Sequence, residues 1–342
     1  MRVGLTFNLR SDGPSAAAPG HLQTDDAEEE FDSPETIEAI AAVLRSLGHE
    51  VDLLGDGERL LRKLLDGPRP DWVFNFAEGT GIGRAREARV PAVLEMFQIP
   101  YSGSDPLTLA VTLDKECAKR LVRDAEVPTP AWLLVDDEAI APSQRSATMA
   151  RLAELPLPVI VKPAFEGSSK GVFSANLIHD RAELLERVVA LKHDYQQPIL
   201  VEEFIDGDEL TVGLIGNPPD VFGIMQVVPV KSSATPFVYS LEVKRDWQQQ
   251  VRYHCPAPLS AADTVAVRRT AVAAWRALGC RDVARIDFRL RGGVPYFLEV
   301  NPLPGLNPKS SDLVLMAHAQ NISHAALIER IARAATRRIF GP

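Results

Sequence analysis

The chain has little cysteine. Cys117, Cys255 and Cys280 are odd in number, far apart, and show neither CxxC spacing nor a histidine partner pattern. That excludes a disulfide framework and a zinc finger, and it leaves free thiols in a reducing cytosol as the expectation. Long apolar runs are missing as well. No stretch approaches the roughly 18 apolar residues of a membrane span, and the run within MRVGLTFNLRSDG is too short for a signal peptide or anchor. Positive charge is in deficit, with 37 Lys and Arg against 46 Asp and Glu and a formal charge of −9. That argues against a nucleic-acid partner, which needs clustered cations, but not against a nucleotide, which needs only a few. The GxxxxGK[ST] phosphate loop is absent, as is any internal repeat. A length of 342 residues predicts two or three domains, each able to bury a core.

The most informative stretch is Asp282–Asn307, DVARIDFRLRGGVPYFLEVNPLPGLN. Arg285, Asp287 and Arg289 alternate with Ile286, Phe288 and Leu290, which predicts a strand with one polar and one apolar face. Beyond Gly292-Gly293, the alternation places Phe297, Glu299 and Asn301 on one face and Tyr296, Leu298 and Val300 on the other. Arg285, Asp287, Glu299 and Asn301 share a face only if the connection holds an odd number of residues, such as a three-residue Gly292-Gly293-Val294 loop with a bulge. A two-residue turn would separate the carboxylates. Two carboxylates and an amide oxygen beside a guanidinium suit Mg²⁺ carrying a phosphate. An edge hairpin with solvated polar residues accounts for the same pattern taken alone.

The first third reads as α/β. Val3–Phe7 is a buried strand. Small residues from Ser15 to Gly20 and the acidic run Asp25–Glu30 follow, the latter expected as a solvated flap rather than a metal site. Ser33 and Pro34 open a helix that Gly48 ends, and Val51–Leu54 and Trp72–Phe76 add strands of a parallel sheet. Chemistry collects beyond the carboxyl ends of such strands, where Glu78, Arg84 and Arg86 become candidates for gripping a charged substrate, with a helix-start ion pair as the structural alternative. Pro91–Phe97 predicts a helix, and Ile99–Ser104 a strand ending in a small-residue turn.

Lys115 sits in the first turn of a predicted helix over 114–123, where the dipole disfavours a cation unless it reaches a phosphate or solvent. Strand Pro158–Lys162 then delivers Lys162 to the loop Glu166-Gly167-Ser168-Ser169-Lys170-Gly171, whose backbone N–H groups are free to surround phosphate oxygens. Pro198–Val212 reads as two strands joined by an Asp-Gly turn. Glu202 at the end of the first is placed to meet an adenine amino group, with Phe204 and Ile205 covering the base.

Taken in order, Ile99–Ser104, Leu113-Asp114-Lys115, Val161-Lys162-Pro163, Glu166–Ser169, Glu202–Ile205 with Glu209, Arg285-Ile286-Asp287 and Leu298–Asn301 with Pro304-Gly305 resemble the ATP-grasp superfamily, and within it the D-alanine:D-alanine ligase family, over nearly the whole chain. The resemblance implies an α/β fold of three domains: an N-terminal parallel-sheet domain at 1–112, a central domain at 113–203 and a C-terminal domain at 204–342 carrying the metal site, with the nucleotide between the last two. Lys115 and Lys162 would contact ATP phosphates under a Ser168-Ser169 loop. Glu202, Glu203, Phe204 and Ile205 would hold adenine, and Glu209 the ribose. Asp287, Glu299 and Asn301 would bind two Mg²⁺ ions, with Mn²⁺ as an alternative. Lys244 lies in the mobile loop, Arg285 and the Gly305 N–H would stabilise the charged intermediate, and Ser310 or Ser311 would face the carboxylate of the amine substrate. The implied activity is ATP-dependent amide formation from a small-molecule carboxylate and amine through an acyl phosphate, in the cytoplasm, with no nucleic acid or membrane and with a homodimer as the expected assembly. Loops Glu166–Gly171 and Lys231–Gln250 are the expected lid.

The amino-acid pocket departs from the family. Thr6–Asp12 replaces its Gly, Ser and Glu segment, and Glu78-Gly79 with Gly83–Arg86 replace its His-Gly and Gly-Glu-Asp-Gly elements. A ligase acting on amino acids or a peptide-like metabolite is therefore the first expectation. Authentic D-alanyl-D-alanine synthesis and a regulatory ATP-binding protein without catalysis are the others.

Overall fold

A computed structural model describes residues 1–10, 24–231 and 236–341. Strands β1 (Arg2–Phe7), β2 (Glu50–Leu53) and β3 (Trp72–Phe76) form a parallel sheet in the order β2-β1-β3. The helix Pro34–Ser46 connects β1 to β2. Ser33 caps it by accepting from the Thr36 N–H, and its apolar stripe of Ile37, Ile40, Ala41 and Leu44 is buried. The expected strand at Ile99–Ser104 does not extend: only Tyr101 bridges to Val73 beside β3, and the chain turns away to enter helix Pro106–Leu113.

The middle sheet contains β4 (Trp132–Val135), β5 (Val159–Pro163), β6 (Leu177–Ile178) and β7 (Ile199–Glu203), in the antiparallel order β4-β7-β5-β6. The third sheet, also antiparallel, contains β8 (Asp208–Ile215), β9 (Asp220–Pro229), β10 (Val251–His254), β11 (Val283–Arg291) and β12 (Val294–Asn301), in the order β10-β9-β8-β11-β12. The stretch Pro198–Val212 holds the two strands expected, β7 and β8, joined through Asp206-Gly207, and the connection carries the chain from one sheet to the next. β7 pairs with β4 and β5, whereas β8 pairs with β9 and β11.

The β11–β12 hairpin settles the parity question in an unexpected way. Its turn is the two-residue Gly292-Gly293, both with positive φ (58° and 79°), and Arg291 pairs with Val294. A two-residue turn alone would send the carboxylates to opposite faces. The register instead shifts between Asp287 and Phe288: Phe288 pairs with Phe297 and Asp287 with Glu299, so Leu298 is an extra, bulged residue. The bulge restores the shared face from the middle of the strand. Phe297 accordingly lies with Phe288, Ile286 and Val300 in the core, opposite to the face expected from simple alternation.

The N-terminal sheet does not stand apart. Val3, Leu5, Ile37 and Leu44 pack in one core with Met225 of β9 and with Leu313, Leu327, Ile328 and Ile331 of helices Asp312–Ala319 and His324–Phe340. Asp282, fully buried, ties the same junction by accepting from the Gly103 N–H at 2.7 Å and pairing with Arg338 at 2.6 Å.

Candidate active site

The site is built from strand ends upward. β5 carries Lys162, whose Nζ donates to Glu202 Oε1 of neighbouring β7 at 3.1 Å, and Glu202 is also paired with buried Lys119. Burial works against the Glu202 charge, but the two ammonium groups overcome it and hold the carboxyl below its ordinary range. The adenine-binding role expected for Glu202 therefore concerns a carboxylate already held by two lysines. Lys115 begins helix Lys115–Asp124, with Asp114 as its cap. Its Nζ donates to the Glu166 carbonyl oxygen and lies 3.2 Å from Glu299 Oε2, which answers the dipole objection with an anion.

On β11 and β12, Arg285, Asp287, Glu299 and Asn301 face one way. Arg285 bridges Asp287 at 3.0 Å and Asp312 at 3.1 Å. Burial pushes the Asp287 carboxyl up to about 6, only partly offset by Arg285. Glu299 is as deeply placed, yet Lys115, Lys162, Lys244 and Arg285 overcome burial and lower it to about 2. Asp287 Oδ1 is buried with no hydrogen-bond partner. A buried orphan acceptor beside an ionised carboxylate is what a divalent cation would satisfy. Among the described residues no three His, Cys, Asp or Glu side chains converge on one point. A cation here would thus draw on Asp287 and Glu299, on Asn301, and on phosphate oxygens, the usual habit of Mg²⁺. The Asn301 amide oxygen already accepts from the Leu303 N–H at 2.9 Å, which leaves it one further lone pair.

Lys115, Lys162, Glu202, Asp287 and Glu299 line a cleft enclosing about 740 Å³, within the range of ligand sites. Lys115, Lys162, Ser169, Glu202, Glu203, Phe204, Ile205, Glu209, Asp287 and Glu299 all face it. Arg289, absent from the expected site, also lines it, pairing with Glu209 and stacking over Phe204 with 4.5 Å from guanidinium carbon to ring centroid. Its place in the 285-287-289 alternation was the available signal. Lys170 lines the cleft too, and Lys119 lies beneath it, one helical turn beyond Lys115. The loop between Glu166 and Gly171 carries Ser168 and Ser169 in left-handed conformation (φ 49° and 60°), strain of the kind concentrated at functional loops.

A second cavity of about 1200 Å³ adjoins the first. Arg285, Asn301, Gly305, Ser310, Ser311, Asp312, Glu78 and Ser168 line it, together with Asp32, Trp247 and Tyr253. Tyr239 and Lys244 face both cavities. Asp312, one residue beyond the expected serines, engages Arg285 directly. Ser311 Oγ accepts from the Asn307 N–H at 2.8 Å, and Ser310 Oγ donates to the Asn307 amide oxygen at 3.2 Å.

Two expected substrate residues lie elsewhere. Arg84 is largely exposed and paired with buried Asp114 at the start of helix Lys115–Asp124, and it lines neither cavity. Arg86 is fully buried, donating to Glu30 at 2.7 and 2.8 Å and to the Phe165 carbonyl oxygen at 2.6 Å, so it braces the entry to the Glu166–Gly171 loop rather than facing either cavity. The acidic run is not a solvated flap: Asp26 and Glu30 are buried, and Glu30 sits between Arg86 and Lys170. The expected features at Ser11, Asp12 and Ser15–Gly20, and residues 232–235 of the expected lid, lie outside the described residues.

With this geometry in hand, comparison with known proteins is decisive. A family model described as the D-ala D-ala ligase C-terminus matches residues 121–333, more than half of the chain. The chain belongs to the D-alanine:D-alanine ligase-like family of ATP-grasp ligases. A D-alanine–D-alanine ligase of Fervidobacterium nodosum is 31% identical over 88% of this chain and 93% of its own length. An uncharacterised protein, y4sG, of Sinorhizobium fredii is 37% identical over 89% of the chain and 88% of its own. Among solved structures, the ATP complex of D-alanine–D-alanine ligase from Bacillus anthracis superposes with a TM-score of 0.72 at 22% identity, covering 99% of this chain and 98% of that one. VanG D-Ala:D-Ser ligase of Enterococcus faecalis gives 0.71 at 19% identity, covering 98% and 99%, and these two likenesses speak for the fold. As an ATP-grasp ligase, the enzyme uses ATP with a divalent metal to form carbon–nitrogen bonds, releasing ADP, and takes small-molecule amino-acid substrates.

Proposed function

We propose that this ligase joins an amino acid, or an amino-acid-like carboxylate, to an amine through an acyl phosphate in the cytoplasm. The observation that carries this is the pairing of Asp287 with Glu299 on one face, bordered by Lys115, Lys162, Lys244 and Arg285, at the boundary of two adjoining cavities. Two Mg²⁺ ions, or Mn²⁺, held by Asp287, Glu299 and Asn301 would supply charge neutralisation at the transferring phosphoryl group. Lys115 and Lys162 orient the triphosphate and offset its charge. Arg285 and the Gly305 N–H face the acyl carbon and meet the developing oxyanion, while the lid excludes water. The three sheets support a division into domains at 1–112, 113–203 and 204–342, and a homodimer is part of the same reading.

The second cavity favours a substrate bearing an ammonium group. The Glu78 and Asp32 carboxylates line it and have no hydrogen bond or ion pair among the described residues. Burial, then neighbouring Glu87, raises Glu78 well above the usual carboxylate range, and burial raises Asp32 to about 7. An arriving cation relieves both. Neither residue belongs to the nucleotide machinery, so substrate choice separates from ATP use.

ADP release with MgATP across D- and L-amino acids, singly and in pairs, tests the proposal. Release with several amino acids supports it. Release confined to D-alanine supports the authentic D-alanyl-D-alanine activity named for the curated relatives. Silence with the whole panel refutes both.

A further inference from the structure

The acidic run Asp25–Glu30 forms consecutive turns in which residues four apart act in pairs. Asp26 and Glu30 point inward to the phosphate loop. Asp26 accepts from the Gly171 N–H at 2.9 Å and from the Tyr195 hydroxyl at 2.7 Å. Glu30 accepts from the Gly167 N–H at 2.7 Å and pairs with Lys170 at 3.2 Å. Asp25 and Glu29 point the other way, toward helix Leu241–Arg245 of the lid. There Arg245 donates from Nη1 to Asp25 Oδ2 at 2.9 Å, from Nη2 to the Asp25 carbonyl oxygen at 3.1 Å, and from Nε and Nη2 to Glu29 Oε2 at 3.3 and 3.1 Å. One short segment of the N-terminal domain thus grips both loops that border the two cavities.

The lid and the phosphate loop also touch directly. The Leu241 N–H donates to the Val172 carbonyl oxygen at 2.9 Å, and Ser169 Oγ donates to the Tyr239 carbonyl oxygen at 3.3 Å. Lys244, which immediately precedes the gripped residue, and Tyr239, just before the same helix, are the two side chains that face both cavities. Arg245 itself faces neither. Its forked contact with two carboxylates has the geometry of a specific, charge-assisted clasp, and its exposure makes that clasp weak enough to open for product release.

We propose that Arg245, clasped by Asp25 and Glu29, is a positioning residue that locks the lid onto the closed phosphate loop, so that the acyl phosphate meets the amine and not water. The inference rests on the acyl-phosphate reading above. If the clasp fails, the oxygen of water attacks the acyl carbon, the bond from that carbon to the phosphate oxygen breaks, and inorganic phosphate and a proton leave. The carboxylate is regenerated, and the net reaction is hydrolysis of ATP to ADP and phosphate.

The test is the ratio of ADP released to amide formed, measured for the full-length enzyme, for Arg245→Met, which keeps the stem and removes the charge, and for Arg245→Lys. A ratio near one for the wild type, at least threefold higher for Arg245→Met and intermediate for Arg245→Lys, with the KM for ATP within twofold throughout, is the expected result. An unchanged ratio in Arg245→Met overturns the clasp and leaves the ligase reading intact. A parallel measurement needs no amine: amide hydrogen exchange of residues 237–250 with and without a non-hydrolysable ATP analogue and Mg²⁺. Nucleotide should slow exchange in the wild type at least threefold more than in Arg245→Met, and equal slowing overturns the clasp. No nucleotide binding by calorimetry overturns the ligase reading itself.

Discussion

The two cavities are constructed differently. The cleft proposed for the nucleotide draws about half of its lining from β5, β7, β8, β11 and β12, and its charges are largely paired with one another: Lys162 with Glu202, Lys115 with Glu299, Arg289 with Glu209. The second cavity joins Tyr253 of β10, Arg285 of β11 and Asn301 of β12 to loop and helix-terminal residues, chiefly at 29–33, 78, 239–247 and 305–312, and it leaves Asp32 and Glu78 unpaired among the described residues. Paired charges on hydrogen-bonded strands make a preorganised site for one fixed ligand. Unpartnered carboxyl groups on loops wait for a cationic ligand to complete them, and loops change without disturbing a sheet. On the proposed reading, ATP chemistry draws on mutually paired charges and substrate choice on carboxyl groups that lack a partner among the described residues.

That contrast breaks most sharply at the metal-facing pair. Glu299→Ala should lower ADP release by about a thousandfold or more while the fold still melts cooperatively, because a preorganised charge aimed at the phosphoryl group is lost. Near-native release by a folded variant would mean that the cleft is not the reaction centre. Arg285→Lys keeps one charge but loses the fork that bridges Asp287 and Asp312. A loss of about a hundredfold in kcat is expected, with the KM for ATP nearly unchanged, as for removal of an oxyanion donor.

The second cavity should respond in a different coordinate. Glu78→Gln is expected to raise the KM for the amino-acid substrate about tenfold, equivalent to ~1.4 kcal/mol, with the KM for ATP unaffected. If the KM for ATP rises in step, the two cavities do not divide their labour as described.

Stability against pH sharpens the comparison further. Burial holds Glu87, which lines a smaller cavity together with Glu78, at about 8, and Asp32 at about 7. Both lie above their unfolded values, so the native state binds more protons between about pH 4 and 8 and stability falls as pH rises through that window. Glu30 and Glu299 behave oppositely: cationic neighbours overcome burial and lower each to about 2, so their contribution is lost as pH falls below about 4.5. Urea melts should therefore show a maximum between these windows, and Glu87→Gln should flatten the decline on the alkaline side. A decline of equal steepness in that variant would remove Glu87 from the account. The smallest effect is expected at the hairpin turn. Gly292→Ala, at φ 58°, should cost about 1 kcal/mol in a urea melt and leave ADP release unchanged, because the shared face depends on the bulge at Leu298 rather than on the turn.

Several of these features were readable from residue order. Local alternation marked β11 and β12, and the Ser33-Pro34 and Asp114 caps marked their helices. Lys115, Lys162, Glu202, Asp287 and Glu299 were all singled out, and they do line one cleft. The misses share a cause. Glu30 looked like part of a solvated acidic run because its partners, Arg86 and Lys170, lie 56 and 140 residues away in sequence. Arg84 and Arg86 looked equivalent in the sequence, yet one faces solvent and the other is entirely enclosed.

The amino-acid sequence by itself determined the strands, the caps and the ordered set of charged residues that make this chain an ATP-grasp ligase, since periodicity and local hydrogen bonding act over a few residues. Tertiary structure alone decided which charges are satisfied: Glu30 and Asp26 bound to the phosphate loop, Arg245 to the acidic turn, Asp32 and Glu78 left open to the cavity. The reason is that burial and Coulomb attraction depend on distance in space, and only the folded chain brings such distant residues within 3 Å or so of one another.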